Sequence, residues 1–406
     1  MKMLIIGAGP AGVSAAETVR GMDRRAEIVL LSDEPYLPYS PPAMADHFLT
    51  GSDLHLWRGA DWLAQTEVEY QNGVRVAAIQ PTAHRVQMAD GGTLSYDRLL
   101  IATGSRLYAP VTGSDMPGVY NFKSLSAAEA LVRRVRSGEA RSALIVGAGF
   151  IGMEIALLLR ELGAAVTQVE MLDQVMSTML DPQTAAVALD LMRQRGVNVR
   201  LNTKALAFIG EDQARGVQLD SGELLEADLL IAATGVKPNL DLLEGSGIAH
   251  NWGILVDQYL RTSVMDVYAA GDVIESPNRL TGERLVHAIF PNAVEQGRVA
   301  GLNMAGYPTL YEGAERMNSL KHLGLPILAV GEKHGDTVLR RQYGDDLRTI
   351  YLNGNRLVGF QLVGDIHPAG VLHALLLQQR DVRPLLDRLL EPNFGEGMAA
   401  WSALVS

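Results

Sequence analysis

Met3-Leu4-Ile5-Ile6-Gly7-Ala8-Gly9-Pro10-Ala11-Gly12 begins near the start of the chain, and Ala143-Leu144-Ile145-Val146-Gly147-Ala148-Gly149-Phe150-Ile151-Gly152 repeats its pattern later. An apolar strand running into Gly-x-Gly-x-x-Gly turns sharply at the first glycine and leaves bare backbone at the second. The third lets the following helix pack close, so that its unpaired N–H groups and positive dipole end face a pyrophosphate. Each copy leads into a helix-compatible segment, residues 13–20 and 153–162, and then into a second strand ending in acid. The first such strand, 26–31, is followed by Ser32-Asp33-Glu34, and the second, 165–170, closes on Glu170. A carboxylate at that position accepts hydrogen bonds from ribose hydroxyls. Two loops in this context imply two dinucleotides on one polypeptide.

The repetition continues. A buried strand over 98–102 stops at Thr103-Gly104, and another over 226–233 stops at Thr234-Gly235. Glycine loop, acidic strand end and Ala-Thr-Gly occur twice in the same order, which predicts one Rossmann-like module inserted into another. Val264-Met265-Asp266-Val267-Tyr268-Ala269-Ala270-Gly271-Asp272 and a helix from Asn292 to Met304 then return the chain to the first module. From about Glu315 the character changes. Arg348–Leu352, a turn at Asn353-Gly354-Asn355 and Arg356–Phe360 read as a hairpin, followed by helices over 370–379 and 383–390. The expected fold class is α/β, with two Rossmann-like dinucleotide-binding domains and a small α+β C-terminal interface domain. The first module takes 1–110 and 245–314, the inserted one 111–244, and the C-terminal domain 315–406.

Composition narrows the function. The 406 residues suit two or three domains, and 48% hydrophobic with 20% charged residues is an ordinary globular balance. No apolar run approaches the roughly 18 residues of a membrane span, and Met1-Lys2-Met3 runs directly into the first strand, so a cytoplasmic protein is expected. A net charge of -11 argues against nucleic acid. The chain has no cysteine. It therefore forms no redox-active disulfide, no sulfenic acid and no thiolate-held iron–sulfur cluster of its own, and any electrons it handles pass through organic cofactors. The nine histidines fall in no HExxH or HxxxH pattern, and no metal site is expected. Glu170 would repel a 2'-phosphate, and Met171-Leu172 supply no arginine to welcome one, so the second loop favours a dinucleotide without that phosphate.

With these landmarks the chain resembles the two-dinucleotide flavoprotein reductases, the FAD-dependent pyridine nucleotide oxidoreductases that include rubredoxin, ferredoxin and putidaredoxin reductases. The two glycine loops, Asp33-Glu34-Pro35-Tyr36-Leu37-Pro38-Tyr39, the two Ala-Thr-Gly stops and Ala269-Ala270-Gly271-Asp272-Val273 carry the resemblance. It implies FAD on Gly7, Gly9, Pro10, Ala11 and Gly12, with Glu34 or its neighbour Asp33 on the adenosine ribose. It implies further that Val76 meets the adenine, that Thr103 and Gly104 flank the pyrophosphate with Arg106 nearby, and that Asp272 after Gly271 binds the ribityl chain. Asn292 and Ala293 would aim a helix N-terminus at the flavin, where Asn292 also reads as an ordinary N-cap. NAD(H) would lie on Gly147, Gly149, Phe150, Ile151 and Gly152, with Glu170 on its ribose, favouring NADH over NADPH, and Gly235 at the strand stop. Glu154 matches a glutamate near the nicotinamide, and is the one catalytic candidate; its plainer reading is a solvated first-turn acid.

The sequence also departs from the family. Where many members carry an arginine and a lysine after the first acid, this chain has Pro41 and Asp46. The resemblance implies hydride transfer at flavin N5, which needs stacking and orientation but no thiol or triad. The expected partner is an iron–sulfur electron-transfer protein or subunit, with the chain acting as a homodimer or within a larger redox complex such as a 2-oxoacid oxidoreductase. An NADH oxidase or quinone reductase, and a non-catalytic nucleotide-sensing assembly subunit, are the alternatives. Trp401, with Phe394 upstream, reads as core in preference to an exposed anchor.

Overall fold

The computed structural model describes residues 1–53, 56–59 and 61–395. Each glycine loop leaves the carboxyl end of the middle strand of a five-stranded parallel sheet. In the first sheet the order is Val267–Ala269, Arg98–Ile101, Lys2–Ile6, Glu27–Leu31, Glu69–Gln71. In the second it is Asn198–Arg200, Ala165–Val169, Ser142–Val146, Leu229–Ala232, Val119–Tyr120. Their central strands are apolar on both faces: Leu4, Ile5, Leu30, Leu31 and Leu99 through Ile101 are fully enclosed, as are Leu144, Ile145 and Leu229 through Ile231. Such continuous burial is what a parallel sheet covered on both sides demands.

The internal repeat is deeper than the motifs. Between its third and fourth strands the first module carries the antiparallel meander Val76–Gln80, Arg85–Met88, Thr93–Ser95, and the second carries Ala205–Ile209, Gly216–Leu219, Leu224–Glu226 at the same place. The outer strand differs, because Val267–Ala269 comes late in the chain and Val119–Tyr120 precedes its own glycine loop.

The chain groups into two compact units. The first comprises Met1–Tyr108, Asn121–Arg133 and Gly235–Ala314; the second comprises Ala109–Tyr120, Arg134–Thr234 and the described residues from Glu315 onward. Linear boundaries at 110 and 245 are crossed for physical reasons. Glu34 caps the N-terminus of helix Leu125–Arg136, accepting from the amide of Leu125 at 3.0 Å, and Gly235–Pro238 pairs antiparallel with Ser105–Tyr108.

In the first unit helices Pro10–Met22 and Phe290–Met304 cross at glycine. A Cβ on Gly297 would lie 2.2 Å from the carbonyl oxygen of Ala11, and one on Gly301 2.8 Å from that of Ala15. Ser14 Oγ donates across the crossing to the carbonyl of Val294 at 2.7 Å. The second helix starts at Phe290 with Ile289 as its cap, two residues before the expected Asn292, because Pro291 is well tolerated in a first turn where no N–H is needed.

In the second unit the C-terminal residues form the antiparallel sheet Met317–Leu320, Ile327–Gly331, Arg356–Val363, Asp346–Asn353, Thr337–Tyr343. The expected hairpin is present and longer on both arms. Its sheet joins the nucleotide segment at Asp181, which caps helix Pro182–Gln194 through the amide of Thr184 at 2.7 Å, accepts from the Tyr351 hydroxyl at 2.7 Å and pairs with Arg340. Burial opposes ionisation of Asp181, but the Thr184, Tyr351 and Arg340 contacts outweigh it and hold the carboxyl below its ordinary value. Helix Ala369–Gln378 matches expectation, whereas 383–390 yields only the short turn Arg383–Leu385. The buried Arg348 guanidinium takes the carbonyls of Leu389 and Glu391, at 3.2 and 2.7 Å, and Pro392 disfavours helix just before it. Phe394 is buried, and Trp401 lies outside the described residues.

Candidate functional site

The three glycines of the first loop do three different things. Gly7 has φ +110°, and a Cβ there would lie 2.1 Å from the carbonyl oxygen of Ala102, so the loop folds against the Ala-Thr-Gly stop. Gly12 admits no side chain because a Cβ would lie 1.9 Å from the carbonyl oxygen of Gly7. Gly9 is the informative one. Its φ of -74° suits any residue, and a Cβ would meet no atom of the described residues within 4 Å. Among the described residues nothing requires glycine there, and the open space suits an approaching phosphate. Helix Pro10–Met22 begins at this point with no side-chain cap and no acid in its first turn, which leaves its N–H groups and positive end for an anion.

The acids behind this loop separate. Glu34 turns away to helix Leu125–Arg136, where one oxygen accepts from Tyr39 Oη at 2.6 Å and from the amide of Leu125, and the other takes Ser126 Oγ. Burial, followed by the Glu34 carboxylate, pushes the Tyr39 phenol far above its ordinary value. Asp33 stays exposed at the strand end. Val76 opens the meander, and the segment before it is tied to the acid end by the amide of Val74 donating to the carbonyl of Ser32 at 2.7 Å. Thr103 and Gly104, the latter at φ +65°, lie on the loop that meets Gly7; Thr103 exchanges hydrogen bonds with Asn239 at 3.0 and 2.9 Å. Arg106 is drawn off to Asn239 and Asp241.

Gly271 and Asp272 arrive at the mouth of the same loop. Gly271, φ +86°, has its hypothetical Cβ 3.1 Å from that of Ala11 and 3.9 Å from that of Ala293, so the strand end wedges between the two helix N-termini. Its amide donates to Gln296 Oε1 at 2.7 Å, a buried glutamine that sequence reasoning missed. Asp272 Oδ2 accepts from Ser105 Oγ at 2.9 Å and pairs with Lys123 at 3.0 Å, with both side chains largely enclosed. Lys123 was also missed, because it lies far from every motif. It supplies a cation to a site whose sequence offers Pro41 and Asp46 where cations were expected. Asn292 and Ala293 are buried in the first turn of Phe290–Met304, so Asn292 is no N-cap.

The second loop copies the first. Gly147 has φ +105° and packs its Cα face on the carbonyl of Ala233, Gly152 faces the carbonyl of Gly147, and Gly149 has open space around its missing Cβ. Phe150 and Ile151 begin helix Phe150–Glu161, again without a side-chain cap. Glu154 is half-buried in the second turn of that helix, which corrects its placement in the first. Glu170 accepts from the amide of Ala148 at 2.8 Å and from that of Leu172 at 3.1 Å, while Met171 and Leu172 are exposed. Gly235 starts the strand paired to Ser105–Tyr108 in the first unit; Ala233 and Thr234 are the residues that abut Gly147.

Residues 1–297 match the family model described as pyridine nucleotide-disulphide oxidoreductase. The chain is 32% identical over 401 residues to the NADH-dependent phenylglyoxylate dehydrogenase subunit epsilon of Aromatoleum evansii, a match covering 96% of this chain and 94% of that one. It is 33% identical over 307 residues to the biphenyl dioxygenase system ferredoxin-NAD(+) reductase component of Paraburkholderia xenovorans, covering 75% and 74%. Among solved structures, the covalent putidaredoxin reductase-putidaredoxin complex superposes with a TM-score of 0.86 at 25% identity, over 100% of this chain and 99% of that one. Two phosphate cradles of one design, each open at its second glycine, and these matches place the chain in the pyridine nucleotide-disulphide oxidoreductase family, as an FAD- and NAD(H)-dependent oxidoreductase that contains no cysteine.

Proposed function

We propose that this protein passes electrons between NAD(H) and an iron–sulfur electron-transfer protein or subunit. The observation that carries the reading is the pair of open cradles at Gly9 and Gly149 on a chain with no thiol. Without cysteine, the disulfide and sulfenic acid routes suggested by the family's name are closed, and electrons leave through a bound organic group. When bound, FAD supplies the conversion between a two-electron hydride and single electrons.

The chain's own residues bind and orient. In this reading Gly7, Gly9, Pro10, Ala11 and Gly12 hold the FAD pyrophosphate with Thr103 and Gly104 beside them. Asp33 serves the adenosine ribose and Val76 the adenine, while Asp272, its Oδ2 held by Ser105 and Lys123, offers its other oxygen to the ribityl hydroxyls. Asn292 and Ala293 bring the positive end of their helix to the flavin. Gly147, Gly149, Phe150, Ile151 and Gly152 hold NAD(H), Glu170 selects NADH, and Glu154 orients the nicotinamide. We assign 1–110 and 245–314 to FAD together with 121–133 and 235–244, which group with them, the rest of 111–244 to NAD(H) and 315–406 to the interface with a partner, and we propose that the protein works in the cytoplasm as a homodimer or a subunit of a larger redox complex. The A. evansii relative's name, a dehydrogenase subunit, supports the second arrangement.

Anaerobic titration with NADH and separately with NADPH, following flavin absorbance, tests the reading. Bleaching by NADH, with electrons then delivered to an added ferredoxin, is the expected result. Rapid turnover with NADH and air alone would favour an oxidase, and flavin that neither nucleotide bleaches would overturn the proposal.

A further inference from the structure

The two cradles differ in one respect. In both, the first glycine's amide donates to the strand behind it, Gly7 to the carbonyl of Leu31 and Gly147 to that of Val169, each at 2.8 Å. Among the described residues, only in the second cradle does the segment behind the loop also send side chains into it. Gln168 Nε2 donates to the carbonyl of Gly147 at 2.8 Å, and Glu170 accepts the amide of Ala148 at 2.8 Å. Residues 168 and 170 are two apart on an extended segment, so both side chains leave it on the same side. By register Gln168 stands opposite Ile145 as Leu30 stands opposite Ile5. Leu30 has no polar group to give.

Gln168 is wholly buried, and its Oε1 has no hydrogen-bond partner among the described residues. A buried amide with one unmet acceptor is costly in a strand interior, where an aliphatic residue serves the core better. Its donor, however, meets the carbonyl of the glycine whose left-handed backbone sets the loop's shape. We propose that Gln168 is a positioning residue that, with Glu170, braces the second glycine loop in its binding conformation when no nucleotide is present. The inference rests on the reading of that loop as the NAD(H) site. A dinucleotide that arrives and leaves in every turnover meets its cradle empty each time, and a cradle that stays formed spares each arrival the entropy of ordering it. A resident cofactor holds its own loop, which is consistent with an apolar Leu30 behind the first cradle.

The test uses full-length flavin-loaded protein and the variants Gln168→Leu and Gln168→Glu. Gln168→Leu is expected to weaken NADH binding about tenfold, the worth of one buried hydrogen bond to a carbonyl. The rise appears in KM, while the rate at saturating NADH, the FAD content and the thermal midpoint stay near wild type, since the variant also removes the unmet Oε1. Gln168→Glu keeps the shape but donates only while protonated. Burial raises that carboxyl's pKa, so its NADH affinity falls with rising pH across a range where the wild type is flat. Wild-type affinity in Gln168→Leu, or a lowered thermal midpoint with unchanged affinity, would overturn the brace and leave Gln168 as packing. Failure of NADH to bind the wild type would instead overturn the assignment of the second loop, and this inference with it.

Discussion

The main-chain amide of Ala148 donates to the Glu170 carboxylate at 2.8 Å, so the acid proposed to serve the nucleotide's ribose also holds the second glycine loop. Charge-assisted hydrogen bonds of this kind are worth about 1.5–3 kcal/mol. Removing the carboxylate therefore costs affinity for any dinucleotide before it alters the choice between them. Glu170→Ala is expected to weaken NADH and NADPH together, by about tenfold or more for NADH, with no net gain for NADPH. Binding titrations of both nucleotides check this, and a Glu170→Ala protein that gained NADPH while keeping NADH would refute the structural half of the role.

Gly9 and Gly149 provide a cleaner dissection, because neither glycine is needed by the fold. Alanine at either position meets no atom of the described residues within 4 Å and adopts an ordinary φ, so Gly9→Ala and Gly149→Ala should keep or slightly raise stability, by about 0.4–1 kcal/mol. Their ligands should suffer separately. Gly9→Ala is expected to purify with little flavin, whereas Gly149→Ala stays yellow and loses its response to NADH. Gly12→Ala, with its Cβ 1.9 Å from the Gly7 carbonyl, should instead fold poorly. Flavin content, NADH bleaching and thermal midpoint distinguish the three, and a Gly9→Ala protein with full flavin would contradict the assignment of the first loop.

Most of this architecture was legible because it is written in local pattern: apolar strand, glycine loop, acidic strand end, twice over. What escaped depends on distance in sequence. Lys123 meets Asp272, and Gln296 meets the amide of Gly271, through contacts that no spacing rule announces. Glu34 was a fair ribose candidate by position, yet it is spent on the N-terminus of a helix ninety-odd residues downstream, an exchange visible only once the chain is folded. The start of the helix at Phe290 was displaced for a local reason, the N-terminal tolerance of Pro291, and was open to a closer reading of capping rules.

Asp181 ties pH to the stability of the second unit. Its carboxyl is held below the ordinary 3.8, so it stabilises the fold fully above that value, and the contribution is lost as pH falls through the depressed folded value. Asp181→Asn, which cannot pair with Arg340 as an ion, is expected to cost about 1–2 kcal/mol at pH 7 through its weakened cap and lost pair. The gap between the two proteins should hold to about pH 5 and narrow below the ordinary carboxylate range. Urea unfolding at pH 7, 5 and 3.5 reads it, and a gap independent of pH would show that the charge contributes nothing.

Tyr96 offers a stabilising change. Its hydroxyl is buried without a hydrogen-bond partner among the described residues, and burial, then Asp266, raises its pKa to about 12. Tyr96→Phe removes the unmet group and keeps the ring against His84, so the thermal midpoint should hold or rise, by up to about 1 kcal/mol in stability. A clear loss would reveal a partner for that hydroxyl.

Lys123 and Asp272 form the ion pair at the mouth of the first cradle, 3.0 Å apart with side-chain exposures of 21% and 16%. Enclosure to that degree makes each charge costly to leave alone, yet not so deep that the pair resembles a core triad, which places its coupling at about 1–2 kcal/mol. Lys123→Met should therefore lower stability by about that amount, and a cycle with Asp272→Asn should recover part of the loss, because the second change removes the charge stranded by the first. The same substitution bears on flavin. With Pro41 and Asp46 where cations were expected, Lys123 is the cation fixed beside Asp272, so Lys123→Met apoprotein should rebind FAD several-fold more weakly and Lys123→Arg should restore it. Equal FAD affinity in all three proteins, measured by flavin fluorescence on reconstitution, would mean that the pair serves only the fold.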